Sequence, residues 1–552
     1  MVKSTLKAIQ NALFYWIEKE AAMKRWIARN NNRIRAPNGM MGIRVRNTGY
    51  SEGGGSRTSN ILKAWNPIRS SAKSDIDANI SALRGRSADQ ATNTPIGAAA
   101  IDTSAMHAIG EGLTVSPRLQ FRSLHMEVDE AKEWERETAR EFDLWASSVS
   151  CDLYRRNNFY DLQNIAYTTY LTDGDSFALF RRKAPNRNMP YSLRIQLIEA
   201  NRVSNPQGQA CQGVLGPYSV ETKAPNGNRI IDGVEITDDG EITAFWISNK
   251  VPYDPTDFRA TTWVRVQAFG DRTGAPNILQ ICHDIRAEQY RGVPYLAPVL
   301  ETLKQVSRYT KAELTSAIIK SFFALFFTSS AAGQDLNSIL GTQNPQDPVV
   351  DVNEYGLAAG TLNALPRGVD VKSIDASNSQ STFEPFVTQL IKQISAAIGQ
   401  PYEVLLKSFT SSYSASRAAL LQAWEEYKLR RKWFANDFCQ PVYETWLAEA
   451  VAIGRIKAPG FFDDPRIRQA YCHADWFGPT MSILDPVKDV NGSAMRVAYG
   501  LSTRTREAAE MTGTDFDENI EALAYEQKRQ DALGLKFAKP VVLAGEKEGE
   551  NN

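Results

Sequence analysis

Two long helical runs enclosing a small strand-like stretch constrain this chain more than any other feature. Leu296, Val299, Leu300, Leu303, Val306, Leu314, Ile318 and Phe322 follow helical spacing between Pro294 and Phe327. About 34 residues at ~1.5 Å each make a rod of roughly 50 Å, and a proline is tolerated at its start because the first N–H groups have no helical partner. Residues 328–382 are punctuated by Gly, Pro and Asn, with strand-like runs at 348–352 and 369–374. Helix resumes from Phe383 to Ile398, breaks at Gly399-Gln400-Pro401, and crosses a Ser/Thr-rich loop, Ser408–Ser414. A second long helix is predicted from Ala415 to Ile453, with Leu420, Leu421, Trp424, Tyr427, Trp433, Phe434, Phe438, Val442 and Trp446 along it. Aromatics at this spacing belong to a core or a subunit interface. A pair of long helices capped by a small excursion cannot bury itself alone, so neighbouring copies of the chain are its natural partners. The faces at 296–322 and 420–446 are therefore expected to be buried partly between subunits.

Upstream, Gly49–Asn60 is a flexible linker. Helical spacing follows over Ser74–Arg84 and Pro95–Ile109, then a charged helix over Val128–Ser147 with Trp134, Phe142 and Trp145 on its apolar side. Residues 159–292 change character: 191–198 and 242–247 alternate as strands, and Asp238-Asp239-Gly240 marks a hairpin turn. The fold class is α+β.

With 552 residues there is room for three or four domains. Lys+Arg and Asp+Glu are 63 each, and a chain that wraps nucleic acid carries a basic surplus, so a tight DNA binder is disfavoured. The charge is nevertheless polarised. Residues 1–46 are rich in Lys and Arg, whereas Glu507–Glu526 holds acidic residues and no basic one. Cys151, Cys211, Cys282, Cys439 and Cys472 form no CxxC pair and read as reduced thiols. The most apolar stretch, Ile318–Phe327, is about half the ~20 residues a membrane span needs. No secretory signal is recognisable, and no membrane association is expected.

Catalytic patterns fare poorly. Gly49-Tyr50-Ser51-Glu52-Gly53 matches G-x-S-x-G, but a nucleophile elbow needs a buried strand before it and a helix after it, and here a glycine linker surrounds Ser51. Asp173-Gly174-Asp175 reads as a helix end and turn before a strand, without a third metal ligand. His107, His125, His283 and His473 are isolated, and His107 and His283 are expected to be packed rather than catalytic. No GxxxxGK[ST] is present, so an ATP-driven terminase-like motor is not encoded. Neither catalysis nor a cofactor nor a metal is expected.

Several segments, in order, carry a resemblance: Ile195–Pro206, Gly233-Val234-Glu235 with Ala244-Phe245-Trp246, His283 through Arg291-Gly292-Val293-Pro294 to Pro298, Ser412–Leu420, and Asp475-Trp476-Phe477-Gly478-Pro479 followed by Asp485-Pro486. Together they resemble the lambda-family portal proteins of tailed bacteriophages over roughly residues 60–525. Asn491-Gly492 departs from the helical continuation the family implies and predicts a break.

The resemblance implies a ring, with a dodecamer expected, at one capsid vertex of the virion and assembled in the host cytoplasm. The ring would be the channel for double-stranded DNA packaging and ejection. Its implied partners are the terminase large subunit, then head–tail adaptor and connector proteins, and the major capsid protein. It divides the chain into a basic segment and linker (1–58), a wing, helical then β-rich (59–293), a stem helix (294–327), a small α/β clip (328–382), a second stem helix (383–400), a tunnel loop (401–415), a long helix and wing return (416–494), and a helical crown and tail (495–552). Lys407, Ser408, Phe409, Thr410, Ser411, Ser412 and Tyr413 would face the DNA channel, with Ser414 capping the next helix. Asn344, Gln346 and Asp347 would dock terminase or adaptor. A conduit must let DNA slide, and short polar side chains with little charge do this better than a basic lining. The alternatives are another virion protein, such as a capsid or tail-tube subunit, and a serine hydrolase using Ser51.

Overall fold

The computed structural model describes residues 67–77, 79–206, 222–252, 254–321, 325–329, 369–373, 380–409, 412–481, 486–514 and 516–535. The chain divides into two units, Met1–Arg69 and Ser70–Asn552, and nearly all described residues belong to the second. Ser51, the linker and the basic segment lie outside the described residues.

Helices α1 (Ala72–Asp77), α2 (Ile80–Asn93) and α3 (Pro95–Ala108) open the second unit. Thr94 ends one and starts the next: its hydroxyl accepts from the Gly97 N–H, and Pro95 takes the first helical position. Strand β1 (Thr114–Pro117) and the amphipathic helix α4 (Val128–Ala146) follow, with Trp134, Phe142 and Trp145 buried as their spacing predicts. Helix α5 (Phe159–Asp173) begins in an Asn158/Asp161 capping box and stops at Gly174, whose φ of +92° suits glycine.

Strand β2 (Asp175–Arg182) is the centre of a three-stranded antiparallel sheet with β3 (Leu193–Ile198) and, on its other side, β9 (Ile278–Cys282). Between them comes an antiparallel five-stranded meander: β4 (Thr222–Lys223), β5 (Arg229–Ile231), β6 (Val234–Ile236), β7 (Ile242–Ser248) and β8 (Trp263–Gln267). The Asp238–Gly240 turn joins β6 to β7, as the sequence suggests. Phe177, Ile198, Val203, Val234, Phe245 and Ile278 form a small core in this region.

Two buried carboxylates organise the meander and the junction beside it. Glu235 accepts from Arg265 Nε and Nη2 at 2.7 and 2.9 Å, from Asn226 and Asn228, and from Trp246 Nε1 at 3.1 Å. Burial would raise its pKa, but these donors outweigh burial and hold it at about 2. At the junction, fully buried Arg291 donates to both oxygens of Asp175 (2.7 and 3.3 Å), to the carboxylate and carbonyl of Asp232, and to the carbonyls of Val203 and Ala200. Arg84 of α2 adds a second guanidinium, 2.9 Å from Asp175 Oδ1 and 2.9 Å from the Asp173 carbonyl. The Asp175 carboxylate also accepts from the Gly292 N–H. A Cβ on Gly292 would lie 1.9 Å from the Gly174 oxygen, so the two backbone segments pass too closely for a side chain.

After a short 3-10 turn, helix α6 runs from Leu300 to Ser321, shorter than the rod predicted from periodicity. Strand β10 (Leu325–Ser329) takes the end of that apolar run and pairs antiparallel with β11 (Val369–Ser373). Phe326, Phe327 and Thr328 favour strand, and a cross-excursion partner decides the matter against helical spacing. Helix α7 (Gln380–Ile398) returns and ends where Gly399 adopts φ +73°.

The short helix α8 (Tyr402–Leu406) precedes one continuous helical run: α9 (Tyr413–Phe434), a π segment (Ala435–Cys439) and α10 (Gln440–Ala452). Pro441 has no N–H to give the preceding turn, which accounts for the widened segment. Strand β12 (Ala474–Phe477) pairs with β1, and α11 (Pro486–Ala498), α12 (Arg504–Thr512) and α13 (Phe516–Leu533) close the chain. Helix α11 passes through Asn491-Gly492 without the expected break; Gly492 sits mid-helix with no steric constraint beyond Arg496.

The main core joins α4, α5, α6, α7 and the long run through Phe142, Trp145, Phe159, Tyr167, Phe434, Phe438 and Trp446. The long helices therefore use more of their apolar faces within the chain than expected. Leu296, Val299, Leu300, Leu303 and Val306, and Tyr427, Phe434, Phe438, Val442 and Trp446, are buried here, and the large apolar side chains left open include Leu314 (62% exposed), Ile318, Phe386, Leu421 and Leu429.

Removing one partner of a buried ion network leaves an uncompensated charge. Arg291→Met should lower unfolding free energy by about 3–5 kcal/mol, read from the shift of a urea transition. Burial also raises Asp173 to about 6, because its side chain sits at this junction beside Asp175. A carboxyl raised on folding contributes stability below its unfolded value that is lost as pH climbs through 4 to 6. Asp173→Asn should thus melt like the wild type at pH 4 and at higher temperature than the wild type at pH 7.5.

Candidate channel site

Gly399 and Pro401 turn the chain out of α7, and Pro401 occupies the position before α8. Val404 and Leu405 are buried, anchoring this short helix. Lys407 closes it in the left-handed conformation (φ +52°), with its N–H on the Val404 carbonyl and the Ser408 N–H on that of Glu403. Lys407, Ser408 and Phe409 are exposed. Thr410 and Ser411 lie outside the described residues. Ser412 is exposed and Tyr413 is the first helical residue of α9.

Ser414 is not the cap that the sequence suggests. The helix starts earlier, and Ser412 takes the capping position through its carbonyl, which accepts from the Ser416 N–H at 2.9 Å. The Ser412 and Ser414 hydroxyls lie 3.4 Å apart. Between the ends of α8 and α9 the strip is 407–412.

The supports beneath the strip are polar and specific. Gln400 Nε2 donates to the Ala100 carbonyl (2.9 Å) and to Tyr295 Oη (3.1 Å), and Tyr295 Oη donates to the Ile398 carbonyl. The Arg430 guanidinium lies 4.5 Å from the Tyr295 ring centre and pairs with Glu426 at 2.7 Å. Arg431, one residue on, reaches three carbonyls: Ala108 (2.8 Å), His107 (3.0 Å) and Pro479 (2.6 Å). It caps the C-terminal end of α3, where a cation is favoured, although burial lowers its pKa to about 10. A Cβ on Gly478 would lie 2.5 Å from Leu113 Cδ2 and 2.9 Å from Arg431 Nε, which explains a glycine there.

His107 stacks on Tyr427 (5.0 Å) and meets Trp424 edge-on, and His283 stacks on Trp433 at 3.6 Å. Burial first, and nearby Lys407 second, lower the pKa of His107. Both histidines are packed, as their isolation in sequence suggests. Asp173 and Asp175 do not make a metal pair, since guanidinium groups occupy Asp175. Among the described residues, no group of three or more His, Cys, Asp or Glu is placed to hold a metal ion. Nor is any helix among them long and apolar enough to cross a membrane.

Asn344, Gln346 and Asp347 lie outside the described residues. The structure places the two ends of their segment together, with Ser329 opposite Val369 in the β10–β11 ladder. At the C-terminal end, the Arg496–Glu507 pair joins α11 to α12, and hydrogen bonding from Arg496 holds Glu507 at about 2.

Arg84, Arg291, Glu235 and Arg431 each join separate elements through several polar contacts and were not singled out by sequence pattern. Arg291 and Glu235 lie within segments that bear the resemblance, which was the one available signal for them.

The sequence model of the family described as phage portal protein, lambda family, matches residues 58–431. Portal protein B of Escherichia phage lambda is 24% identical over 518 residues, covering 91% of this chain and 93% of the phage protein. The portal protein of Escherichia phage N15 is 25% identical over 518 residues, covering 88% and 91%. Among solved structures, the neck of a native gene transfer agent particle computed with C12 symmetry aligns with a TM-score of 0.40 at 12% identity, covering 78% of this chain and 92% of that one. Since the family match takes in well over half of its residues, this chain belongs to the lambda family of phage portal proteins.

Proposed function

We propose that this chain is the subunit of a portal ring at a single capsid vertex, the head–tail connector through which the genome is packaged and ejected. The observation that carries this reading is the nearly end-to-end similarity to a lambda-phage portal protein. Its role is structural rather than catalytic. Residues 59–293 serve as wing, 294–327 and 383–400 as stem, 328–382 as clip, 401–415 as tunnel loop and 495–552 as crown. The open apolar side chains Leu314, Ile318 and Phe386 on the paired helices α6 and α7 suit burial against a neighbouring copy. Terminase, then adaptor and connector proteins, would dock at the clip, and the capsid protein would surround the ring.

The mechanism is one of weak contact. In a ring the 407–412 strips would converge on the axis. Serine and threonine hydroxyls exchange hydrogen bonds with phosphates at little cost, while Lys407 provides one salt-sensitive contact per subunit. Supports on α3, α7, α9 and the segment before α6 hold the Lys407 end of each strip.

Purified protein imaged by negative stain should show closed rings with a central hole, and a stable monomer at micromolar concentration would reject the reading. Deleting Thr410 to Ser412 should leave rings intact and reduce retention of packaged DNA; normal packaging and retention would remove the loop from the DNA path. Substituting Gln346 and Asp347 should impair packaging with rings preserved. Loss of rings there would instead assign the clip to assembly.

A further inference from the structure

The end of the β2–β3 hairpin gathers positive charge without an acidic residue of its own. From Ser176 to Ile198 the sequence contains Arg181, Arg182, Lys183, Arg187 and Arg194, and no Asp or Glu. Arg155 and Arg156 are brought alongside in a second turn, whose one carboxylate, Asp152, is buried and accepts from the backbone N–H groups of Tyr154, Arg156 and Asn157. The Leu153 N–H donates to the Ile195 carbonyl at 2.9 Å, Gln196 Nε2 donates to Tyr154 Oη at 2.8 Å, and Leu153 lines one shallow cleft with residues 180–183.

Among the described residues, only Arg182 of the exposed set is paired with a carboxylate: its Nη1 lies 2.5 Å from Glu449 Oε2. Arg155, Arg156, Arg181, Lys183 and Arg187 are exposed, and no ion pair joins them to a described carboxylate. Strand alternation puts Arg181 and Lys183 on one face, and Arg187 lies in the turn closed by Asn186 and Met189. Behind them Arg194, the register partner of Arg181, is buried and bonds only to the Tyr191 and Leu193 carbonyls, with its Nη2 unpartnered. Burial and then the neighbouring Arg155 lower its pKa, a sign of the like charge gathered here.

We propose that this hairpin end is a contact surface for the phosphate backbone of double-stranded DNA, separate from the channel loop. Like charges collected on a rigid sheet cost stability that a polyanion relieves. Guanidinium forks match phosphate oxygens, and backbone contacts need no base recognition. A protein partner would call for an apolar anchor at the centre of the surface, and residues 181–188 offer no large apolar side chain. From Lys183 to the turn is roughly 13 Å at ~3.3 Å per residue, a length that spans on the order of three or four phosphates of one DNA strand.

The test uses covalently closed circular duplex DNA, which cannot thread a ring, so binding in the channel and failure of the channel reading are both kept out of the result. The full-length protein is titrated at several salt concentrations, beside the variant Arg155→Gln/Arg181→Gln/Arg187→Gln. The variant should bind at least about tenfold more weakly at 50 mM salt. Its plot of log affinity against log salt should be flatter by about 2–3 units, near 0.9 per lost contact. Should the triple variant fail to fold, Arg187→Gln at the exposed turn is read the same way, with a change of about one unit. Absence of binding by the wild type, or identical affinity and slope in the variant, overturns the proposal.

Discussion

Arg291 has five N–H donors and a fully buried side chain, so every donor needs an acceptor from the protein, and the chain supplies them from three separate places. Asp175 comes from the turn between α5 and β2, Asp232 from the β5–β6 turn, and the carbonyls of Ala200 and Val203 from the segment after β3. Each lies far from Arg291 in sequence, and Arg84 reaches in from the first helices. The two sheets, α2 and the segment leading into α6 thus meet at one charge-balanced point. Such a junction contributes less to net stability than to fixing which elements lie together, since a shifted register would strand a buried ion. The opposed glycines, Gly174 and Gly292, let the backbones come close enough for it to form.

A related logic governs the surroundings of α8. Arg431 on α9 lies against the end of α3 and against the Gly478-Pro479 turn, so three stretches remote in sequence share one cation. Its neighbour Arg430 faces Tyr295, whose hydroxyl fastens the end of α7. The chain is therefore firmly anchored where α7 passes into α8.

Local patterns in the sequence were legible where the physics is local. The Asp238–Gly240 turn, the apolar face of α4, the stop at Gly399 and the packed histidines all follow from neighbouring residues. Periodicity failed at Phe326–Phe327, where a strand partner on the far side of the excursion outweighs helical spacing. The capping expectation failed at Ser414, since the first α9 turn closes on the Ser412 carbonyl. Asp175 looked like a turn residue because nothing near it in sequence announces Arg84 or Arg291. The supports of the strip were hidden for the same reason: Arg430 faces Tyr295 from far away in sequence, and the acceptors of Arg431 are carbonyls, which leave no trace in side-chain pattern.

The pairing of β1 with β12, the Trp134 indole on the Lys457 carbonyl 323 residues away, and Arg431 on Ala108 all tie early sequence to late sequence. A ribosome adding ~5–20 residues per second needs on the order of 15–65 s to make the intervening chain. Throughout that interval Phe142, Trp145 and Phe159 await partners that have not been synthesised, and the core cannot close. Completion of the subunit is thereby deferred to the end of translation. A half-made chain has no finished surface to offer a growing ring, so assembly draws on whole subunits only.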